Sequence, residues 1–175
     1  MVKKVAVLVP NPVNGSGLFQ YLEAFFENGI SFKTFAMAES VNVKTNSGVS
    51  LQTDDVVANL KGHENEYNAL VFACGDAVPT LAENAAKQYQ DTITVIRNFG
   101  NSGKLLAGHC AAALLFDNAG VAQGKQVALH PYIKQIVKNC KGTDSKFVVD
   151  GNLYTAQTEN TIPQLIPFLL KALKG

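Results

Sequence analysis

"LLAGHCAAALLFDNAGVAQGKQVALHP", Leu105 to Pro131, is the stretch on which the fold turns. Lys104 to His109 reads as a short strand. Ala111 to Ala119 follows with helical spacing. Between them stands Cys110, with small residues at Gly108, Ala111 and Ala112. G-x-C-x-A between a strand and a helix is the cysteine form of a nucleophile elbow. The neighbours must be small there, because the nucleophile's backbone is strained and lies close to the next strand. A thiol in that position sits at a helix N-terminus, where free N–H groups and the macrodipole favour the thiolate. The competing reading is an inert buried cysteine, the common fate of that residue type. On spacing alone both readings stand.

Outward from this segment, short apolar runs alternate with helix-length patterns. Val5–Val9, Ile30–Met37, Ala69–Asp76 and Gly124–Leu129 read as further strands. Helices are expected over Leu18–Asn28 with Gly29 as the C-cap, from Asp54 and Asp55 to Leu60, over Pro79–Ala86, and through Tyr89, Ile93, Ile96 and Phe99. Two more are expected over Pro131–Asn139 and Asn160–Leu173, the last with Pro163 in its first turn and Pro167 as a kink. Val41–Gln52 reads as a hairpin about Thr45-Asn46-Ser47-Gly48, and Phe147–Ala156 as one about Asp150-Gly151. This alternation means an α/β fold, a mostly parallel sheet with helices on both faces. In such sheets the site lies beyond the carboxyl ends of the strands. The loops expected there are Pro10–Gly17, Cys74–Val78 and His109–Ala112.

The chain has 175 residues, 47% hydrophobic and 17% charged, with a net charge of +1. That length fits one domain spanning residues 1–175. With no basic block, nucleic acid and anionic membranes are not expected partners. The N-terminal run from Met1 to Pro10 is basic and then apolar. It is too short for a signal peptide, and no other run approaches the length of a membrane span. Cys74, Cys110 and Cys140 form no CxxC pair and no disulfide framework, which fits a reducing, cytoplasmic setting. No cofactor is expected, since Asn14-Gly15-Ser16-Gly17 lacks the third glycine and the acidic partner of a dinucleotide loop. No metal is expected either, because Cys74, His109, Cys110 and His130 lack metal-ligand spacing.

Three residues join Cys110 as candidates. Gly75 ends a strand, so its N–H could pair with that of Ala111 as an oxyanion hole. A plain turn would use a glycine there equally well. His130, just before Pro131, stands where it could polarise the thiol or act as a base, or simply cap and pack locally. His109 is adjacent in sequence, but successive strand side chains point to opposite faces, so it is a poor base for Cys110. His63 reads as a surface-loop residue.

The run "GHCAAALLFDNAGVAQGKQVALHP" resembles the nucleophile segment of the DJ-1/PfpI superfamily, which includes PfpI-type intracellular proteases and has the class I glutamine amidotransferase-like fold. The opening strand with "NGI" after the first helix, the hairpin "VNVKTNSGVSL", "ALVFACGD" and "VVDGNLYTA" extend the resemblance over most of the chain. It implies a three-layer, flavodoxin-like sandwich that forms homodimers or larger homo-oligomers. It puts Cys110 at the nucleophile position, Gly75 and Ala111 at the oxyanion-hole positions, and His130 at the position of the histidine near the cysteine. The departures are specific. The glutamate that many members carry after the first strand would fall at or near Gly17, and Val13 to Leu18 holds no acid. The usual Pro-Gly-Gly is Ala73-Cys74-Gly75 here. The protease branch has a histidine after the cysteine where this chain has Ala111, and a glutamate near the place of Thr80, so its triad is not reproduced. Gln157-Thr158-Glu159 replaces an Arg- and Gly-rich turn. Asp76 is the nearest acid in sequence to the presumed site.

The expectation is therefore a PfpI-like cytoplasmic hydrolase or lyase, acting through Cys110 on a small carbonyl, amide or peptide-like substrate. The alternative is a non-catalytic redox or stress-response binding protein in which Cys110 is oxidised or contacts a ligand.

Overall fold

A computed structural model describes residues 3–175. Met1 and Val2, the head of the basic N-terminal run, lie outside the described residues. The elements that build the site are β1 (Lys4–Pro10), α1 (Gly15–Glu27), β2 (Ser31–Met37), β3 (Asn42–Lys44), β4 (Ser50–Gln52), β5 (Asp55–Val56), α2 (Val57–Leu60), β6 (Ala69–Phe72), α3 (Val78–Glu83), α4 (Lys87–Asn101), β7 (Leu105–His109) and α5 (Ala112–Asn118). They are followed by β8 (Gln126–Ala128), β9 (Lys141–Thr143), β10 (Phe147–Asp150), β11 (Leu153–Ala156) and α6 (Ile162–Lys174).

Seven strands form the main sheet in the order β10-β11-β7-β6-β1-β2-β5, all neighbours parallel except the β10–β11 hairpin. Strand side chains alternate between faces, and the two cores follow that alternation. Val5, Val7 and Val9 of β1 pack on one face with Tyr21, Phe25, Leu165 and Leu169, from α1 and α6. Ala6 and Leu8 pack on the other with Ile96, Phe99, Leu115 and Phe116, from α4 and α5. Both faces of the sheet are thus covered, as an all-apolar β1 requires. The result is a mixed α/β sandwich with helices on both sides of the sheet. Among the described residues, no helix is long and apolar enough to cross a membrane.

Three local expectations change. The helix α1 starts at Gly15, so the Gly-rich stretch is its own first turn. Asn14 caps it by accepting the Gly17 N–H on Oδ1 at 2.6 Å. Asp54 and Asp55 do not open a helix. Asp55–Val56 pairs with Phe35–Ala36 as β5, and Asp54 Oδ2 accepts the Thr34 N–H and hydroxyl, both at 2.8 Å.

Pro131–Asn139 is not a long helix. Only Pro131–Ile133 forms a turn of 3-10 helix. The chain then bends to bring β9 beside β8 in a small parallel pair that the periodicity did not show. The buried Asp117 makes that bend possible, because its carboxylate accepts the N–H groups of Lys138, Asn139 and Cys140 at 2.8, 2.9 and 2.8 Å. Backbone donors that a helix would satisfy internally are satisfied by one side chain. Asp117→Asn sets an amide N–H₂ against at least one of those donors. It is expected to destabilise the fold by about 1–3 kcal/mol, read as a lowered urea midpoint at unchanged slope.

Candidate active site around Cys110

Cys110 leaves β7 with φ +57°, in the left-handed region. For a non-glycine residue this costs roughly 1–3 kcal/mol and must be over-determined by its surroundings. Here the Cys110 N–H donates to Ala156 O at 3.2 Å, and Cys110 O accepts the His130 N–H at 3.3 Å. The small neighbours are required sterically, since a Cβ on Gly108 would stand 2.5 Å from that of Ala112. Gly75 is also sterically demanded. A Cβ there would be driven into the Pro12 carbonyl oxygen, so close approach of the β1 loop, rather than a turn alone, demands glycine.

The loops after β1, β6, β7 and β8 meet at this edge. Cys110 opens onto a cleft of about 310 Å³, lined by Cys74, Gly75, Asp76, Ala111, His130 and Tyr132 among others. An adjoining hollow of about 170 Å³ shares Cys74, Gly75, Asp76, Cys110 and His130, and adds Asn14, His109 and Glu159. A larger hollow, about 530 Å³, lies at the far side among Lys33, Asp55, His63 and Glu66 and touches none of these groups. His63 is exposed there, with Nδ1 2.9 Å from Glu66 Oε1. Among the described residues, no three His, Cys, Asp or Glu side chains are placed to hold a metal ion.

All four sequence candidates meet at the cleft, but with unequal roles. The Ala111 N–H is already engaged, donating to Cys74 Sγ at 3.4 Å. The Gly75 N–H makes no hydrogen bond among the described residues. His130 Nδ1 accepts the Tyr132 N–H at 3.2 Å. A backbone N–H can only donate, so the proton of the neutral ring sits on Nε2, which makes that atom a donor.

Two groups escaped the sequence reading. Cys74 is buried beside Cys110, and together with the Ala111 amide it holds the Cys110 thiol below the ordinary thiol value, against the opposing effects of burial, Glu159 and Asp76. The Cys74 thiol moves the other way, pushed well up by Cys110 and by burial. Glu159 arrives from the loop after β11, a position that only the sheet order brings near the cysteine. Asp76 does reach this thiol electrostatically, and it raises rather than lowers it.

His109 points to the opposite face, as strand alternation requires. Its ring lies against Tyr21 of α1, with Nδ1 3.4 Å from the hydroxyl. Its Nε2 is buried without a partner among the described residues. The ring also explains Gly17, where a Cβ would come within 2.6 Å of Cε1 and Nε2. The place where the resemblance would put a glutamate side chain is filled by an imidazole.

The family model described as "DJ-1/PfpI family" matches residues 3–172. The chain belongs to the DJ-1/PfpI family. A relative from Bacteroides thetaiotaomicron, protein ppBat, is 57% identical over 175 residues, which cover 99% of this chain and 100% of that one. The crystal structure of a protease I candidate from the same organism superposes with a TM-score of 0.96 at 56% identity, over 98% of this chain and 99% of that one. The crystal structure of Drosophila melanogaster DJ-1beta shares the fold at 21% identity, with a TM-score of 0.86 over 99% of this chain and 91% of that one.

Burial alone pushes His109 down to about 4. Its folded value therefore lies below the unfolded value of about 6.5, and the unfolded chain binds the extra proton between the two. Stability from this residue is complete above about pH 6.5 and falls as pH drops toward 4, by roughly 3 kcal/mol in total. Urea titrations at pH 7 and pH 4.5 should show this loss in the wild type, and His109→Gln should remove most of the pH dependence.

Proposed function

We propose that this DJ-1/PfpI protein is a cysteine-dependent hydrolase or lyase for a small carbonyl, amide or peptide-like substrate, with Cys110 as an elbow nucleophile. One observation carries the reading: the strained, left-handed Cys110 presents a thiol of lowered proton affinity to a cleft of small-molecule size. In this scheme the thiolate attacks the carbonyl carbon. The free Gly75 N–H receives the developing oxyanion, and the Ala111 N–H joins it once the Cys74 sulfur yields that donor. His130 Nε2–H donates a proton to the substrate oxygen or leaving group. Peptidase activity on folded polypeptides is not part of the proposal, because His130 is oriented by a backbone N–H and has no carboxylate partner among the described residues. Assembly as a homodimer or larger homo-oligomer, and a cytoplasmic location, belong to the same reading.

The second reading is a redox or stress-linked binding protein. The lack of an acid between Val13 and Leu18 favours it, since no carboxylate from that loop is there to tune the thiol for turnover.

Alkylation by iodoacetamide across pH tests the first reading. The rate at Cys110 should rise with pH and level off below the ordinary thiol value of about 8.5. Cys140 should stay slow, because burial and the Asp117 charge push it up to about 12. Labelling of Cys110 no faster than free cysteine at neutral pH would overturn the reading. Removing one opposing charge in Glu159→Gln should raise the neutral-pH rate. Turnover of small carbonyl compounds, lost in Cys110→Ser, separates catalysis from binding.

A further inference from the structure

The parallel register of β6 and β7 sets Leu70 beside Leu106, Val71 beside Ala107 and Phe72 beside Gly108. Two residues further on, the same register brings Cys74 beside Cys110. Neighbouring strands lie about 4.8 Å apart, and a disulfide needs Cα atoms about 4.4–6.8 Å apart. Both cysteines pack against the same core on the same face of the sheet. The Ala111 N–H, one bond beyond Cys110, already reaches Cys74 Sγ at 3.4 Å. Both side chains line the same cleft, and both are free thiols. The third cysteine, Cys140, faces Asp117 and lines neither part of the site.

We propose that Cys74 and Cys110 form a reversible peroxide-responsive pair, in which Cys74 resolves oxidised Cys110 as an intrachain disulfide. The Cys110 thiolate attacks one oxygen of a hydroperoxide, the O–O bond breaks, and the departing hydroxide or alkoxide takes up a proton. Two electrons pass from sulfur to the peroxide, leaving Cys110 as a sulfenic acid. Cys74 then gives up its proton and attacks the Cys110 sulfur. The S–O bond breaks, the hydroxide leaves as water, and the Cys74–Cys110 disulfide forms. A dithiol reductant restores both thiols by exchange. The disulfide keeps Cys110 off the irreversible step to sulfinic acid. It also withdraws the nucleophile, so the cleft is switched off under oxidation and recovered afterwards.

The proposal rests on the reactivity of Cys110 proposed above, but not on turnover of any carbonyl substrate. Trypsin sites place the three cysteines on separate peptides: Cys74 in Gly62–Lys87, Cys110 in Leu105–Lys125 and Cys140 in Asn139–Lys141. The test treats the reduced, full-length protein with stoichiometric hydrogen peroxide, blocks free thiols, and maps it without reduction. The expected result is loss of two hydrogens per chain and a linked Gly62–Lys87/Leu105–Lys125 pair that dithiothreitol removes. Cys74→Ser should instead accumulate added oxygen on Cys110, and Cys140→Ser should behave as the wild type. Sulfinic acid at Cys110 in the wild type with no linked pair would overturn the proposal. So would a link to Cys140 or to a second chain. If Cys74→Ser does not fold, the wild-type map decides alone. Iodoacetamide labelling of the reduced protein separates the two readings, because fast labelling without a linked pair sinks the disulfide and leaves the nucleophile standing.

Discussion

The left-handed turn at Cys110 is the constraint around which this edge of the molecule is arranged. A non-glycine residue at φ +57° does not hold that conformation unaided. It is pinned by a carbonyl of β11 on one side and by the amide of His130 on the other. Those two hydrogen bonds join the strand after the cysteine helix to the strand of the closing hairpin. The turn sends the chain directly into α5, so Gly108 and Ala112 come into contact that no larger pair would permit. The reversal also separates neighbours in sequence. His109 goes to the face covered by α1, and Cys110 to the face covered by α4 and α5.

That separation accounts for the chemistry of the thiol. A carboxylate from α1 has no room, because the His109 ring occupies the space beside Gly17. The group that lowers the Cys110 thiol is another sulfur, just beyond the end of the adjacent strand, helped by the Ala111 amide that precedes the following helix. The acids that do approach, Glu159 and Asp76, work in the opposite direction. The site therefore balances a weak, polarisable neighbour against two anions, where a carboxylic acid and a positively charged histidine would be the stronger arrangement. The cleft stays open to small molecules, and Tyr132 stands exposed at its mouth.

Much of the architecture was legible in the chain. Runs such as Val5–Val9 and Leu105–Ala107 are apolar at every position because both faces of the sheet are covered, and such runs read directly as buried strands. The Asp-Gly hairpin at Gly151, with φ +61°, also followed from its residues. Two of the failures share a cause. Pro131–Asn139 has helical content, but the amides of Lys138, Asn139 and Cys140 at its end are taken by Asp117 from an earlier helix. Asp54 looks like a helix cap, but Thr34 of the neighbouring strand takes its carboxylate. In each case a side chain distant in sequence won the competition for a backbone group.

By itself the sequence determined most of the strands and helices of the main sheet and its covering layers, the small residues around Cys110 and the absence of an acid between Val13 and Leu18. These are local matters, set by periodicity and by the volume of adjacent side chains. Only the tertiary structure decided that Cys74 faces Cys110, that Glu159 and Asp76 oppose its ionisation, and that His109 fills the hollow over Gly17. Those pairings depend on which strands lie side by side and in what register. Register is fixed by burying two opposite faces of a sheet at once, a condition that no single segment of the chain contains.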